Sequence, residues 1–139
     1  PKKLNQVLKL ALKRSDYVEL RFDFLKPVQV PEALELTKKY LNRSVCTLRP
    51  KSEGGKFSGT EKERSSIMKL IAEYKPYLLD VEYNTLKKDK PLVNYIKKTK
   101  TDVLVSWHEP KQCLLFLDVL LRQAVRLVLQ SGLSQHLVL

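Results

Sequence analysis

Four pairs of polar residues, each two positions apart, interrupt apolar runs of this sequence. They are Glu19 and Arg21 in VELRF, Thr47 and Arg49 in SVCTLR, Asp80 and Glu82 in YLLDVEY, and Ser106 and His108 in DVLVSWH. In an extended strand, residues two apart share a face, so each pair would project from one side of its strand. Asp23 continues the face of Glu19 and Arg21. A strand covered on both sides is nearly all apolar, and a carboxylate buried beside a guanidinium costs several kcal/mol unless it is paired or used. Two readings follow. The charges are structural ion pairs, or they form a site in which carboxylates and guanidiniums hold a polar ligand while an imidazole moves a proton. A lone histidine is commonly structural, but four matching pairs favour a site.

The elements around these pairs are legible. Leu4, Val7, Leu8 and Ala11 have helical spacing within residues 2–14. A strand is predicted from Tyr17 to Phe22, then a helix over 31–42 with Pro31 in its first turn. A β-branched strand follows from Ser44 to Leu48. Thr60 and Glu63 make a capping box for a helix from Glu61 to Tyr74. The third strand is YLLDVEY; Asp89 caps the next helix, with Pro91 in its first turn; the fourth strand, DVLVSW, ends at His108. Helix and strand alternate, which argues for a parallel sheet covered by helices. A doubly wound sheet and a (β/α)8 barrel both satisfy the pattern, and in both the ligand sits at the carboxyl ends of the strands.

Between Thr47 and Arg64 runs TLRPKSEGGKFSGTEKER, holding three of the chain's four glycines. Glu53 stands four residues after Arg49 and just before Gly54 and Gly55. Glycines let a backbone turn tightly and approach a ligand. The phosphate-loop pattern G-x-x-x-x-G-K-[ST] is absent, and a plain flexible connection is the other reading.

The net charge is +11 and the pI about 9.7. The lysines are scattered over several helices, as on solvated faces, and no RNA-binding aromatic motif or basic arm accompanies them, so no nucleic-acid partner is expected. The charge could also draw an anionic small substrate toward a cleft. Cys46 and Cys113 lie far apart, with no C-x-x-C and no Cys/His cluster. A metal site and a disulfide framework are therefore not expected. No signal-peptide pattern is present, and a reducing cytoplasmic setting is expected. The last stretch differs in composition. All 19 lysines lie at or before Lys111, and residues 112–139 are rich in leucine. Asp118, Arg122, Arg126 and Gln130 make a polar stripe at helical spacing, too interrupted for a membrane span. The expected organisation is therefore 1–111 as the α/β part and 112–139 as an atypical helical tail, consistent with a shifted reading frame.

Taken together, VELRFDFL, TLRPKSEGGKFSGTEKER, LLDVEY and LVSWHEP resemble type I 3-dehydroquinate dehydratase in its short archaeal-like form. The likeness covers residues 3 to 111, and its elements E-L-R, R-x-x-x-E-G-G and a strand-ending histidine are specific in combination. The resemblance implies an α/β fold, a (β/α)8 barrel of which this chain carries about strands two to five. It implies dehydration of 3-dehydroquinate to 3-dehydroshikimate in the shikimate pathway of aromatic amino acid biosynthesis. In that reaction a lysine forms a Schiff base with the substrate ketone, and the iminium makes the neighbouring C–H acidic enough for a histidine to deprotonate. The same histidine then acts as general acid for the departing water. No metal or cofactor is implied. His108 matches the acid/base histidine and Glu53 the glutamate that orients it; Glu19, Arg21 and Arg49 match the groups that hold the substrate.

The sequence also departs from the family. The Schiff-base lysine is expected some 25 to 30 residues beyond the histidine, where this chain has none. Lys111 is too close to His108 for that role, and EPKQCLLF replaces the usual Thr-Pro segment. The first strand, a later carboxylate-binding arginine and a Ser/Gln closing loop have no counterpart. Loss of a covalent catalyst costs orders of magnitude in rate. A part-barrel also leaves strand edges unpaired. This polypeptide alone is therefore expected to be inactive and prone to self-association, homodimers included, with an inactive binding or interaction module as the alternative function.

Overall fold

The computed structural model describes residues 2–109 and 112–113. Its elements are α1 (Lys2–Arg14), β1 (Val18–Arg21), α2 (Val30–Thr37), β2 (Ser44–Thr47), α3 (Glu61–Glu73), β3 (Leu78–Glu82), α4 (Tyr83–Lys88), α5 (Lys90–Thr99), β4 (Val103–Ser106), β5 (His108–Glu109) and β6 (Gln112–Cys113). Strands β1 to β4 form one parallel sheet in the spatial order β1-β2-β3-β4. Spatial order equals chain order, so the sheet has no point at which the winding reverses; a doubly wound sheet needs one. Helices α2 and α3, α3 and α5, and α4 and α5 pack on one another, which gathers them into one layer. A singly wound βα array of this kind is an arc of a (β/α)8 barrel. The chain is an α/β protein with a partial barrel.

The register explains why the strands are half greasy and half charged. Leu20, Cys46, Leu79 and Val103 form one row across the sheet. With Val18, Val81 and Val105 they join a core built from Leu8, Ala11, Leu34, Met68, Ile71, Ala72, Leu92 and Ile96 of the helices. Each fully buried aliphatic side chain there contributes about 1.5–3 kcal/mol. The alternate positions give a second row of Arg21, Thr47 and Asp80, and a third with Glu82 beside Ser106. Those residues lie on the sheet face opposite the core row, and Arg64 of α3 reaches Glu82 there.

Local signals are realised closely. The Thr60 hydroxyl accepts from the Glu63 amide at 3.2 Å, and Glu63 accepts the Thr60 amide at 2.7 Å. Asp89 accepts the Leu92 amide at 2.9 Å at the start of α5. The helix expected over 31–42 instead stops at Thr37 and tightens into a 3-10 turn over Lys38–Arg43. There the Thr37 hydroxyl donates to the Ala33 carbonyl at 2.8 Å, and Arg43 reaches back to the carbonyls of Asp16 (2.8 Å) and Ser15 (3.2 Å). This anchors the end of the turn to the segment between α1 and β1. Helix α4 was not expected: it starts directly at the end of β3, with no side-chain cap. The backbone of Gln112 and Cys113 pairs antiparallel with Glu109 and His108; the expected helical tail otherwise lies outside the described residues. Among the described residues, no helix is long and apolar enough to cross a membrane.

Candidate active site at the strand ends

On β1, Glu19 accepts a hydrogen bond from the Thr47 hydroxyl at 2.8 Å. Arg21 donates through Nε and Nη2 to the two oxygens of Asp23, each at 2.7 Å. Its hydrogen bond to Asp23 raises the Arg21 guanidinium against the effect of burial, and the carboxylates of Asp23, Glu19 and Asp80 add to that. Asp23 is 2% exposed and also accepts the Lys56 amide at 2.9 Å. Asp23 therefore ties the exit of β1 to the glycine loop. Burial pushes its carboxyl up, but the hydrogen bonds from Arg21 and the Lys56 amide hold it below the ordinary value of 3.8. A depressed carboxyl contributes stability that is present above its unfolded pKa and lost as pH falls through the lower folded value. Unfolding free energy measured from pH 5 to pH 2 should thus fall more steeply for the native sequence than for Asp23→Asn; parallel curves would contradict this assignment.

Two residues beyond β2, Arg49 donates through Nη2 to Asp80 at 2.8 Å. The glycine loop then folds back on Arg49. The Gly55 amide donates to the Pro50 carbonyl at 2.9 Å, and the Phe57 amide to the Arg49 carbonyl at 3.2 Å. Gly54 adopts φ +79°, in the left-handed region. A methyl on Gly55 would lie 2.0 Å from the Arg49 carbonyl oxygen. The glycines therefore serve close approach of the chain to its own Arg49 backbone. Glu53 sits in the short turn Lys51–Glu53. Its Oε1 accepts from Asn84 of α4 at 3.1 Å, while Oε2 is buried without a partner.

On β3, Glu82 is fully buried and accepts from Arg64 Nη1 at 2.8 Å. Arg64 is only 1% exposed, and it also donates to Glu61 at 3.0 Å and to the Thr85 hydroxyl. Burial and then the Asp80 carboxylate push the Glu82 carboxyl up to about 7, while Arg64 pulls it down. Neither Arg64 nor Asn84 stood out in the sequence. A signal for Arg64 exists: it occupies the inward stripe of α3 with Met68, Ile71 and Ala72, at i, i+4, i+7 and i+8. Asn84 depends on α4, which carries no such signal.

Glu19, Arg21 and Arg49 are thus each held by one partner, Thr47, Asp23 and Asp80 respectively, along the ends of β1 to β3, and Glu53 hangs from the loop that follows β2. The backbone of His108 lies two residues beyond β4, in β5. Its side chain lies outside the described residues, and so does the Glu53–His108 pairing. Among the described residues, seven buried side-chain N or O atoms lack a hydrogen-bond partner. Five of the seven belong to this edge: Arg49 Nε, Glu53 Oε2, Asp80 Oδ1, Glu82 Oε1 and Ser106 Oγ. Buried polar groups are almost always matched, so these atoms are open to hydrogen bonds from a polar molecule that reaches the edge. Four of the five atoms can accept hydrogen bonds and two can donate, which suits a molecule bearing several hydroxyls.

A family model described as type I 3-dehydroquinase matches residues 1–127. The chain is 35% identical over 95 residues to the chloroplastic bifunctional 3-dehydroquinate dehydratase/shikimate dehydrogenase of Arabidopsis thaliana, covering 68% of this chain and 16% of that protein. It is 33% identical over 100 residues to the 3-dehydroquinate dehydratase of Pyrococcus abyssi, covering 72% of this chain and 45% of that one. The 3-dehydroquinate dehydratase of Methanocaldococcus jannaschii is 33% identical, covering 70% and 44%. This chain therefore spans less than half the length of these relatives. The solved structure of 3-dehydroquinate dehydratase from Enterococcus faecalis superposes with a TM-score of 0.56 at 24% identity, covering 70% of this chain and 44% of that one, and shows the shared fold. With the match extending over most of its length, the chain belongs to the type I 3-dehydroquinase family.

Proposed function

We propose that this chain supplies the substrate-gripping and proton-transfer part of a site that dehydrates 3-dehydroquinate to 3-dehydroshikimate, the activity for which its relatives are named. The observation that carries this reading is the collection of unmatched polar atoms at the carboxyl ends of a singly wound parallel sheet. In this reading Glu19, Arg21 and Arg49 hold the ring and its hydroxyls. The three are fixed in advance by Thr47, Asp23 and Asp80, so little reorganisation opposes binding. Asn84 occupies one oxygen of Glu53 and leaves the other to orient the His108 imidazole. His108 takes the proton next to the carbonyl carbon and returns it to the departing hydroxyl.

The electron sink that the resemblance implies is a lysine imine, and residues 112–139 contain no lysine. That observation favours a second reading for polypeptide 1–139 on its own, namely binding without turnover. A plain ketone acidifies the neighbouring C–H far less than an iminium does. We infer further that residues 112–139 are a tail of atypical, leucine-rich composition, that the setting is cytoplasmic, and that the outer edges of β1 and β4 promote self-association. Calorimetric titration and borohydride trapping with 3-dehydroquinate test the reading together. Polypeptide 1–139 should bind the substrate, lose that binding on Arg49→Met, and show no reduced adduct by mass and no measurable turnover. A wild-type titration without heat would overturn the substrate reading. An adduct would overturn the reading of binding without turnover.

A further inference from the structure

The two oxygens of Glu82 have unlike surroundings. Oε2 accepts from Arg64 Nη1 at 2.8 Å and from the Thr85 hydroxyl at 3.4 Å. Oε1 is buried and accepts nothing. Arg64 is itself fixed by Glu61 at 3.0 Å, the Leu48 carbonyl at 3.4 Å and Thr85. It therefore sets the rotation of the Glu82 carboxyl and not merely its charge. Across the sheet, Ser106 of β4 is the register partner of Glu82 and shares its face. The Ser106 hydroxyl is also buried without a partner. A purely structural ion pair explains Oε2 and leaves both Oε1 and Ser106 Oγ unexplained.

We propose that Glu82 and Ser106 form a further substrate-contacting subsite between β3 and β4, which takes a ring hydroxyl of the ligand, with Arg64 as the residue that positions it. The hydroxyl donates to Glu82 Oε1 and accepts from the Ser106 hydroxyl. This satisfies both unmatched atoms with one ligand group and places that group beside the Arg49–Asp80 pair. A site built to hydrogen-bond a hydroxyl discriminates strongly against a ligand that lacks it, because its own polar groups are then stranded. The assignment rests on the dehydroquinate reading above and deepens it.

The test is calorimetric titration of polypeptide 1–139 with 3-dehydroquinate and with the set of its mono-deoxy analogues. Glu82→Gln and Ser106→Ala should each weaken binding of 3-dehydroquinate about tenfold. The double variant should lose little more than either single one, because both act on one hydroxyl. Against one deoxy analogue both substitutions should have no effect. Arg64→Lys should weaken 3-dehydroquinate and spare that same analogue. Should Glu82→Gln not fold, as judged by circular dichroism, Ser106→Ala carries the test, since it removes only a hydroxyl. The assignment is overturned if Ser106→Ala binds 3-dehydroquinate as tightly as the native chain. It is also overturned if the variants weaken every analogue by the same factor as the parent ligand, which is the mark of a structural role. Absence of binding by the unsubstituted chain overturns the dehydroquinate reading and this assignment with it, whereas binding with unaltered variants overturns this assignment alone.

Discussion

Arg64→Ala should destabilise the fold by about 3–5 kcal/mol in urea unfolding, because it leaves the buried Glu82 carboxylate without its partner. The pair is 2.8 Å apart with side chains 2% and 1% exposed. The cost should depend on pH in a stated direction. Burial and then the Asp80 carboxylate raise the Glu82 carboxyl to about 7 even with Arg64 drawing it down. Without Arg64 the group moves higher still and is neutral at pH 5, so the penalty should be smaller at pH 5 than at pH 8. A raised carboxyl contributes stability below its unfolded value of 4.5 and loses it as pH rises through the folded value, which gives the same sign. Arg64→Met combined with Glu82→Leu should recover most of the loss, since an apolar pair of similar volume is often neutral or better. A single variant within about 0.5 kcal/mol of the native chain would mean that the pair is not buried as described.

Gly55→Ala is the second large effect. The added methyl would meet the Arg49 carbonyl oxygen at 2.0 Å, its carbon at 2.4 Å and its Cβ at 2.7 Å. These are mostly backbone atoms of a residue held on both sides, so the loop must move. Overpacking of this kind costs about 1–3 kcal/mol or more, and the movement should displace Arg49 from Asp80. Gly54→Ala makes a useful contrast. Nothing lies within 4 Å of its methyl, and only the left-handed φ of +79° opposes it, at about 1–2 kcal/mol. The expected order is therefore Gly55→Ala worse than Gly54→Ala in both stability and ligand affinity. The reverse order would mean that conformational freedom, and not contact with Arg49, is what the loop requires.

Three arginine–carboxylate pairs line the strand ends: Arg21–Asp23, Arg49–Asp80 and Arg64–Glu82. Each guanidinium is immobilised by the protein before any ligand arrives. Preorganised charge of this kind acts on a ligand without first having to reorient. The cost of burying six charges is offset pair by pair, and the unmatched atoms that remain are those the proposed ligand would take up.

How much of this was legible in the sequence depended on whether the signal was local. Strand positions, the Thr60–Glu63 capping box and the Asp89 cap are set within a few residues, and period-two alternation placed Glu19, Arg21, Thr47, Asp80 and Glu82 on shared faces correctly. Barrel over doubly wound sheet was not decided by alternation, because winding depends on where each helix crosses. Motif resemblance decided it in advance, and the sheet order agrees. Three features were not read. Asp23 as the clamp of Arg21 and Lys56, Arg64 as the counter-charge of Glu82, and Asn84 as the holder of Glu53 all join residues from 2 to 33 positions apart. The Arg64 case was recoverable, since a charged residue in the apolar stripe of α3 needs a buried partner. The Asn84 case was not, because α4 has neither a cap nor an apolar period.

The most direct test of the central claim is an amide chemical-shift map of uniformly labelled polypeptide 1–139 titrated with 3-dehydroquinate. Saturable shifts are expected at Glu19–Asp23, Thr47–Lys56, Asp80–Glu82 and Ser106–His108, with α1 and the outer faces of α3 and α5 unmoved. Shifts confined to the helical layer, or none at millimolar ligand, would contradict it.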